Sequence, residues 1–549
     1  MPATSDRDHQ KFPILASDQI DRALRFASGP ETLFAGGETV FSIGERGVPV
    51  WLVLEGAMTI IRRDGLKGDA TITVYGRGQF SGEVSQLDGR ATVAGGVAGK
   101  GGCVAVPFDA AHLRALMIGS VDIGEVIMRS LILRRVALID DGASGAVIIG
   151  VPGSADVRRI QGFLTRNGMP NTLLDSRAEG EGRDLVTRSG VTAADLPIVV
   201  CQGGQLLKGP TEAELAACLG IVPELDPDRV HDMAIVGAGP AGLAAAVYAA
   251  SEGLSVLVLD ERAIGGQAGA SSRIENYLGF PAGISGQALS GRAFNQALKF
   301  GADIAIPVTV ERLSRTGGVL QLDCSGNRRV RSRSVVAACG ARYRHPDVPR
   351  LAEFEGAGVS YWATAIEAHH CTGRDIALIG GGNSAGQAVV FLAPQVNLLH
   401  LVVRRPLEQT MSRYLIERIA ELPNVRIHEG FELATIDGDP AIGLSAVTIA
   451  SRKGGATLRL PIWHMFMFIG AEPNAGWAPG SVARDARGFL VTGQGARAHE
   501  TSMPGVFAIG DVRAGSTKRI ASAVGDGAAV VGEIHAMFSD QTRHQTQEA

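Results

Sequence analysis

Between residues 231 and 261 the chain reads HDMAIVGAGPAGLAAAVYAASEGLSVLVLDE: an apolar run, a glycine turn, an alanine-rich stretch, and a second apolar run closed by Asp260. A short apolar run bounded by glycine predicts a buried strand, and the alanine-rich stretch predicts a helix packed on it. The plan returns at 375 to 405, DIALIGGGNSAGQAVVFLAPQVNLLHLVVRR, where the second run ends in Arg404 and Arg405. A third run, VFAI, ends in Gly510 and Asp511 ahead of another helix. Upstream the pattern changes. From 30 to 110, short apolar runs punctuated by glycine predict a small antiparallel roll, and a helical stretch follows from His112 to Ile139. From 145 to 222, GAVIIGVP and NTLLD read as strands around the helix ADVRRIQGFLTRNG, DLPIVVCQGGQLLKG as a hairpin, and TEAELAACLG as a last helix.

Length and composition narrow this picture. A chain of 549 residues has room for three or four domains. The 72 glycines, with 45% apolar and 5% aromatic residues, suit α/β units with many tight turns. A formal charge of -4 and no basic run argue against nucleic acid or a membrane surface as partner. The start, MPATSDRDHQKFP, has no apolar signal core, and no stretch approaches a spanning length, so a cytoplasmic protein is expected. The six cysteines contain no CxxC, which removes the usual zinc spacing and the usual vicinal dithiol together; no metal is expected.

The first glycine turn is a GxGxxG, with Gly237, Gly239, Pro240, Ala241 and Gly242, and an acid follows 23 residues after Gly237. Glycines there allow close backbone approach to a pyrophosphate, the helix N-terminus favours its charge, and Asp260 suits ribose hydroxyls. The second turn carries Gly380, Gly381, Gly382, Asn383, Ser384 and Ala385. An acid at the end of its second strand would repel a 2′-phosphate, whereas Arg404 and Arg405 attract one, so this site is expected to prefer NADPH. The first site is then left for another dinucleotide. The strand ending in Gly510 and Asp511 ahead of a helix supports FAD, since that helix would present its positive end to the flavin.

Residues 231 to 536 resemble the thioredoxin reductase group of two-domain flavoproteins. The carrying motifs are GAGPAG at 237–242, GGQ at 265–267, IENYLGFP at 274–281, ACGARY at 338–343, GGGNSA at 380–385, and GDV followed by KRIASA. The resemblance implies that Gly265, Gly266, Gln267, Asn276 and Gly340 line the FAD. It implies that Asp511 meets the ribityl chain, and that Lys518, Arg519 and Ile520 begin the helix facing the ring. It also implies a homodimer. Where the family resembles SYCATCD, this chain has Ser360 and Tyr361, then Trp362 in the first cysteine slot, Ala365 in the second and Ile366 in the acid slot. Dithiol exchange needs an attacking thiolate and a resolving sulfur, which these residues cannot supply. Cys371 follows two histidines but has no near partner in sequence. Trp362 is expected to cover the flavin face that the disulfide would have used.

The roll resembles cyclic nucleotide-binding domains, in the VWLVLEGAMTII hairpin and in GQFSGEVSQLDGRATVAG. By that resemblance Gly82 and Glu83 would meet the ribose; Thr92 stands in the slot of the phosphate arginine, with Arg90 two residues early. The segment 145–222 is similar to a thioredoxin or glutaredoxin fold, with Pro197 at its cis-proline position and VPGSAD in place of its redox cysteines.

The expected organisation is multidomain. An N-terminal β-roll, cyclic nucleotide-binding-like, covers 12–140, and an α/β thioredoxin-like module covers 145–222. A discontinuous Rossmann-like FAD domain takes 231–345 and 472–540, around an NADPH domain at 346–471. The expected activity is that of an NADPH-dependent FAD oxidoreductase passing electrons to ferredoxin, flavodoxin, quinone or another acceptor, with the N-terminal domain either regulating it by sensing a ligand such as a cyclic nucleotide or standing as a degenerate roll that docks on its neighbours. The alternatives are a flavin-based redox sensor with little turnover, and a disulfide reductase using Cys371 or a thiol outside this chain.

Overall fold

The computed structural model describes residues 8–548 apart from 64–68, 88–89, 142–144, 189, 202–204, 222–224, 272, 356–357, 362, 364 and 440–441. The chain divides into two compact units. The first contains Met1–Ile235, Ala246–Ile264 and Ala293–Ser334; the second contains Val236–Ala245, Gly265–Arg292 and Val335–Ala549.

The first unit opens with strands β1 (Thr32–Phe34), β2 (Thr39–Phe41), β3 (Val50–Arg63), β4 (Asp69–Tyr75) and β5 (Gly95–Phe108) in an antiparallel sheet of order β1-β5-β3-β4, with β2 also on β5. Phe41, Val53, Met58, Ile60, Tyr75 and Ala105 fill its core. The expected hairpin at VWLVLEGAMTII does not form: the segment is one continuous strand, β3, whose pairing with β5 shifts between Val53 and Glu55 and between Gly56 and Met58. Gly56 has φ 72°, and a Cβ there would lie 2.2 Å from the Gly102 carbonyl oxygen. The glycine marks a bulge with close backbone approach rather than a turn. The helical stretch likewise breaks in two, Ala110–Gly119 and Val121–Asp141, with Ser120 outside helical geometry.

Strands β6 (Ala146–Gly150), β7 (Asn171–Asp175), β8 (Ile198–Val200) and β9 (Leu206–Lys208) form a sheet of order β7-β6-β8-β9, parallel between β6 and β7 and antiparallel elsewhere. Alternate residues of β6 feed opposite cores, Ile148 into one with Phe163 and Leu215, Val147 and Ile149 into the other. That is the two-residue period of a strand covered on both faces. The Leu196–Pro197 peptide is cis. Cys201, just past β8, is bonded to Cys218 at the end of the helix Glu212–Cys218, a bridge the cysteine spacing did not announce.

The remaining large sheet has the order β12-β11-β10-β15-β14-β13, from β10 (Val230–Val236), β11 (Val256–Leu259), β12 (Asp303–Ala305), β13 (Val310–Thr316), β14 (Val319–Cys324) and β15 (Arg328–Ala337). In the second unit β16 (Ala341–Tyr343) leads to β17 (Val359–Ser360), β18 (Asp375–Ile379), β19 (Leu398–Val403) and β20 (Val425–Glu429). An antiparallel sheet of β21 (Phe431–Asp439), β22 (Gly443–Ser451) and β23 (Thr457–Leu460) precedes β24 (His464–Met467) and β25 (Ala471–Pro473). The order β17-β24-β18-β19-β20 is parallel throughout, and β16 pairs β25 antiparallel. Finally β26 (Val506–Ala508) lies parallel to Val335–Ala337, followed by the helix Ile520–Glu548. Among the described residues no helix is long and apolar enough to cross a membrane.

Candidate dinucleotide-binding site

Both glycine turns sit where a strand gives way to a helix, which is where orphan backbone N–H groups collect. At the first, Gly237 has φ 115°, and a Cβ on it would stand 2.3 Å from the Ala338 carbonyl oxygen. Only glycine fits. A Cβ on Gly239 would meet nothing within 4 Å, nor would one on Gly340, so these two leave open approaches to the backbone. The helix Pro240–Ser251 begins at once, with Leu243 N donating to Gly239 O at 2.9 Å. Gly265 and Gly266 both hold positive φ, Gly265 N donates to Ala238 O at 2.7 Å, and Gln267 donates its amide to Ala341 O. Asn276 is exposed.

Gly510 closes the same side: its φ is 66°, a Cβ there would lie 2.9 Å from the Ala241 Cβ, and its N–H donates to Asp526 at 3.0 Å. Gly527 packs so closely that a Cβ would lie 2.5 Å from Ala241 O. The turns at 237–242, 265–267 and 510–511 are thereby drawn together within the second unit. Burial pushes the Asp511 carboxyl up from its ordinary value, and Lys518 opposes that rise. Lys518 donates to the Asp511 backbone carbonyl and lies over the Phe489 ring at 4.4 Å; burial pushes its ammonium down. The helix starts at Ile520, two residues later than expected for Lys518, while Arg519 O accepts the bond from Ala523 N at 3.0 Å. Asp260 follows β11, and its carboxylate accepts from Arg262 N at 2.9 Å and Ala263 N at 3.2 Å.

The second turn repeats the logic. Gly380 has φ 144°, and its Cβ would fall 2.2 Å from Phe468 O. Gly382 caps the helix Asn383–Leu392 with an open Cβ direction, and Ala385 is fully buried under it. Two braces come from far along the chain: Thr410 Oγ1 donates to Gly381 O at 2.6 Å, and Ser412 N donates to Asn383 Oδ1 at 2.7 Å. The pattern gave no signal for Thr410 or Ser412, since neither belongs to a periodic run. Ser384, Arg404 and Arg405 are exposed, the arginines directly after β19.

Trp362 and Thr364 lie outside the described residues, as do the side chains of Ala365 and Ile366, so the expected cover over the flavin lies outside them as well. Before them, Tyr361 is 6% exposed and donates to Glu355 at 2.7 Å, and His345 Nδ1 lies 2.8 Å from the same carboxylate oxygen. Cys371 is 1% exposed among Ala368, Ile376 and Leu399. The two preceding histidines do not activate it: burial, reinforced by Glu367, pushes its thiol up to about 12. Of the residues expected at a cyclic nucleotide, Gly82, Glu83 and Thr92 line one cavity of the first unit. Arg90 instead lies over the Phe294 ring, 5.5 Å from its centroid.

Residues 231–527 match the pyridine nucleotide-disulphide oxidoreductase family. Thioredoxin reductase of Treponema pallidum is 34% identical over 54% of this chain and 94% of its own length. An NADH dehydrogenase of Bacillus subtilis is 32% identical over 65% of this chain and 68% of its own. Among solved structures, thioredoxin reductase of T. acidophilum superposes with a TM-score of 0.53 at 30% identity, over 56% of this chain and 99% of that one. The C-terminal region thus has a thioredoxin reductase-like fold with two dinucleotide-binding Rossmann units, and the chain belongs to the pyridine nucleotide-disulphide oxidoreductase family.

Proposed function

We propose that the chain is an NADPH-dependent FAD oxidoreductase whose acceptor takes electrons without an internal CxxC disulfide. The observation that carries the second half is Cys371: the nearest thiol after the lost slots is sealed in the core with its ionisation suppressed. The first half is supported by the open Cβ directions at Gly239, Gly340 and Gly382, and by Gly237 and Gly380, where a Cβ would collide with a backbone carbonyl. When bound, FAD would supply hydride acceptance from NADPH and electron release to the acceptor. The residues do the positioning. Backbone N–H groups at 237–242 and 380–385 would hold the two pyrophosphates, and Asp260 the ribose. Asp511, partly buried and with its carboxyl pushed up by that burial, would accept a ribityl hydroxyl's hydrogen bond in a site that excludes water. Arg404 and Arg405 would favour the 2′-phosphate.

The domain assignment follows: FAD at 231–345 and 472–540, NADPH at 346–471, a thioredoxin-like module at 145–222 and a cyclic nucleotide-binding-like roll at 12–140. The similarity to the Bacillus subtilis NADH dehydrogenase covers more of this chain than residues 231–549 alone can supply, so it reaches back into the middle module. Stopped-flow mixing with NADPH, followed by ferredoxin, flavodoxin, thioredoxin, quinone or oxygen, tests the reading. Flavin bleaching with rapid return on one acceptor other than thioredoxin is expected. Bleaching that no acceptor reverses would sink it in favour of a sensor.

A further inference from the structure

The helix Val121–Asp141 carries Arg134 inward, where the side chain is 5% exposed. Its Nε donates to Lys11 O at 2.9 Å, and one terminal nitrogen donates to Phe80 O at 2.8 Å and Gly82 O at 2.9 Å. The guanidinium lies over the rings of Phe12, Tyr75 and Phe80 at 5.6, 4.9 and 4.8 Å. The other terminal nitrogen is buried with no hydrogen-bond partner among the described residues. Nor does any carboxylate among the described residues pair with this side chain: Glu83, the acid on the cavity wall, is 3.3 Å from Arg135 instead. Carbonyl dipoles and ring faces offset part of the burial of a group that cannot lose its proton, but they bring no opposite charge.

Arg134 borders a cavity of about 320 Å³ with an apolar side of Phe12, Phe41, Ile72 and Leu138 and a polar side that includes Arg62 and Glu83. A volume of a few hundred Å³, mostly apolar with a few fixed polar groups, is the ordinary form of a small-molecule site. The residues expected to hold a cyclic phosphate do not supply its cation: Thr92 donates to Ser42 O at 2.7 Å, and Arg90 rests on Phe294. The cations on the cavity wall are Arg134 of the helix, with Arg62 and Lys11 also lining it, and of these Arg134 is the one held in place by carbonyls and rings.

We propose that this cavity binds a small organic anion with a flat apolar body, whose carboxylate or phosphate oxygen accepts from the unpartnered terminal nitrogen of Arg134. The rings seat the body and the guanidinium selects the charge. Because that guanidinium also bonds carbonyls at Lys11, Phe80 and Gly82, the ligand would fasten the helix to the roll. This site is independent of the redox reading.

Isothermal titration of the full-length protein with indole-3-acetate and phenyl phosphate tests it, with indole-3-ethanol, inorganic phosphate and cyclic AMP as further arms. At least one aryl anion should bind with Kd below about 1 mM, and its neutral analogue should not. Arg134→Gln should weaken binding by about ten-fold or more. Ala137→Phe, which fills the cavity and leaves the cation in place, should abolish it. Failure of both aryl anions to bind the native protein would overturn the proposal, as would unchanged binding by Ala137→Phe, or by an Arg134→Gln protein that melts as cooperatively as the native one. Binding of cyclic AMP alone, undiminished by Arg134→Gln, would also overturn it.

Discussion

Replacing Arg404 and Arg405 by glutamine isolates the coenzyme preference from the chemistry. Both side chains stand exposed just past β19, so each would meet a 2′-phosphate at the edge of water. Two unit charges about 4 Å apart interact by about 1 kcal/mol in water and by about 4 kcal/mol at the dielectric of a protein surface. A charge-assisted hydrogen bond is worth about 1.5–3 kcal/mol net. Exposure favours the lower figures, so about 1.5 kcal/mol per arginine is expected, or about ten-fold in kcat/KM for NADPH. The two are chain neighbours and share one phosphate, so the double variant should lose less than the product, about 30- to 100-fold. NADH has no 2′-phosphate and should change by no more than about two-fold. Steady-state oxidation of each coenzyme with a dye acceptor measures the ratio. Raising ionic strength from 0.1 M towards 1 M, where the screening length falls from about 10 Å to about 3 Å, should mimic the substitution in the native protein and leave the double variant indifferent. An equal fall for both coenzymes, or an unchanged ratio, would refute the assignment of these arginines.

Gly237→Ala and Gly239→Ala should part company. The first forces a Cβ 2.3 Å from a backbone oxygen at φ 115° and should lower the melting temperature by several degrees, the second meets nothing within 4 Å and should melt normally, and both should purify with less flavin. His400 of β19, pushed down to about 4, and His428 of β20, also lowered, have ring nitrogens 2.9 Å apart, with desolvation as the main cause for both. A depressed histidine binds its proton more readily unfolded, so stability should fall as pH drops from about 6.5 towards 4, and His400→Asn should flatten that slope in a pH series of melts. The Cys201–Cys218 bridge closes a loop with a sequence separation of 17, and such a closure is worth about 3 kcal/mol. Cys201→Ser should lower stability by roughly that amount, and dithiothreitol should bring the native protein to the same midpoint.

The two glycine turns were legible because each rule acts locally: a buried strand, a helix N-terminus and a residue whose Cβ has no room lie within ten positions of one another. Gly237 and Gly380 are the clearest cases, both with positive φ and both pressed against a carbonyl of the neighbouring strand. What failed was long-range. Gly56 has a positive φ and in sequence suggests a turn, but the Gly102 carbonyl pressed against it makes it a bulge in one long strand. The Thr410 and Ser412 braces, and the bridge from Cys201 to Cys218, join residues whose spacing carries no periodic signal. Arg134 was passed over for a related reason. An arginine on a long helix usually faces water, and only the three aromatic rings contributed by other segments reveal that this one does not.

The route by which electrons leave can be argued from sulfur by sulfur. A disulfide route needs a thiolate that can be reached and a second sulfur to resolve the adduct. Cys103 and Cys324 are buried, with desolvation raising the first and pushing the second up to about 11. Burial, reinforced by Glu367, pushes Cys371 up to about 12, so the thiolate is suppressed while the thiol stays in the core. Cys339 is half-buried and donates to Asn474 O at 3.0 Å. Cys201 is 3% exposed and already bonded to Cys218. None of these combines access with a partner that the flavin side could use. Treatment with iodoacetamide at pH 7 is therefore expected to leave NADPH oxidation by the preferred acceptor at its original rate, measured over the same period in which a thioredoxin reductase with an exposed dithiol is inactivated. Loss of activity in step with modification of Cys371, mapped by mass spectrometry, would show that the core around it opens during turnover and would restore sulfur to the mechanism.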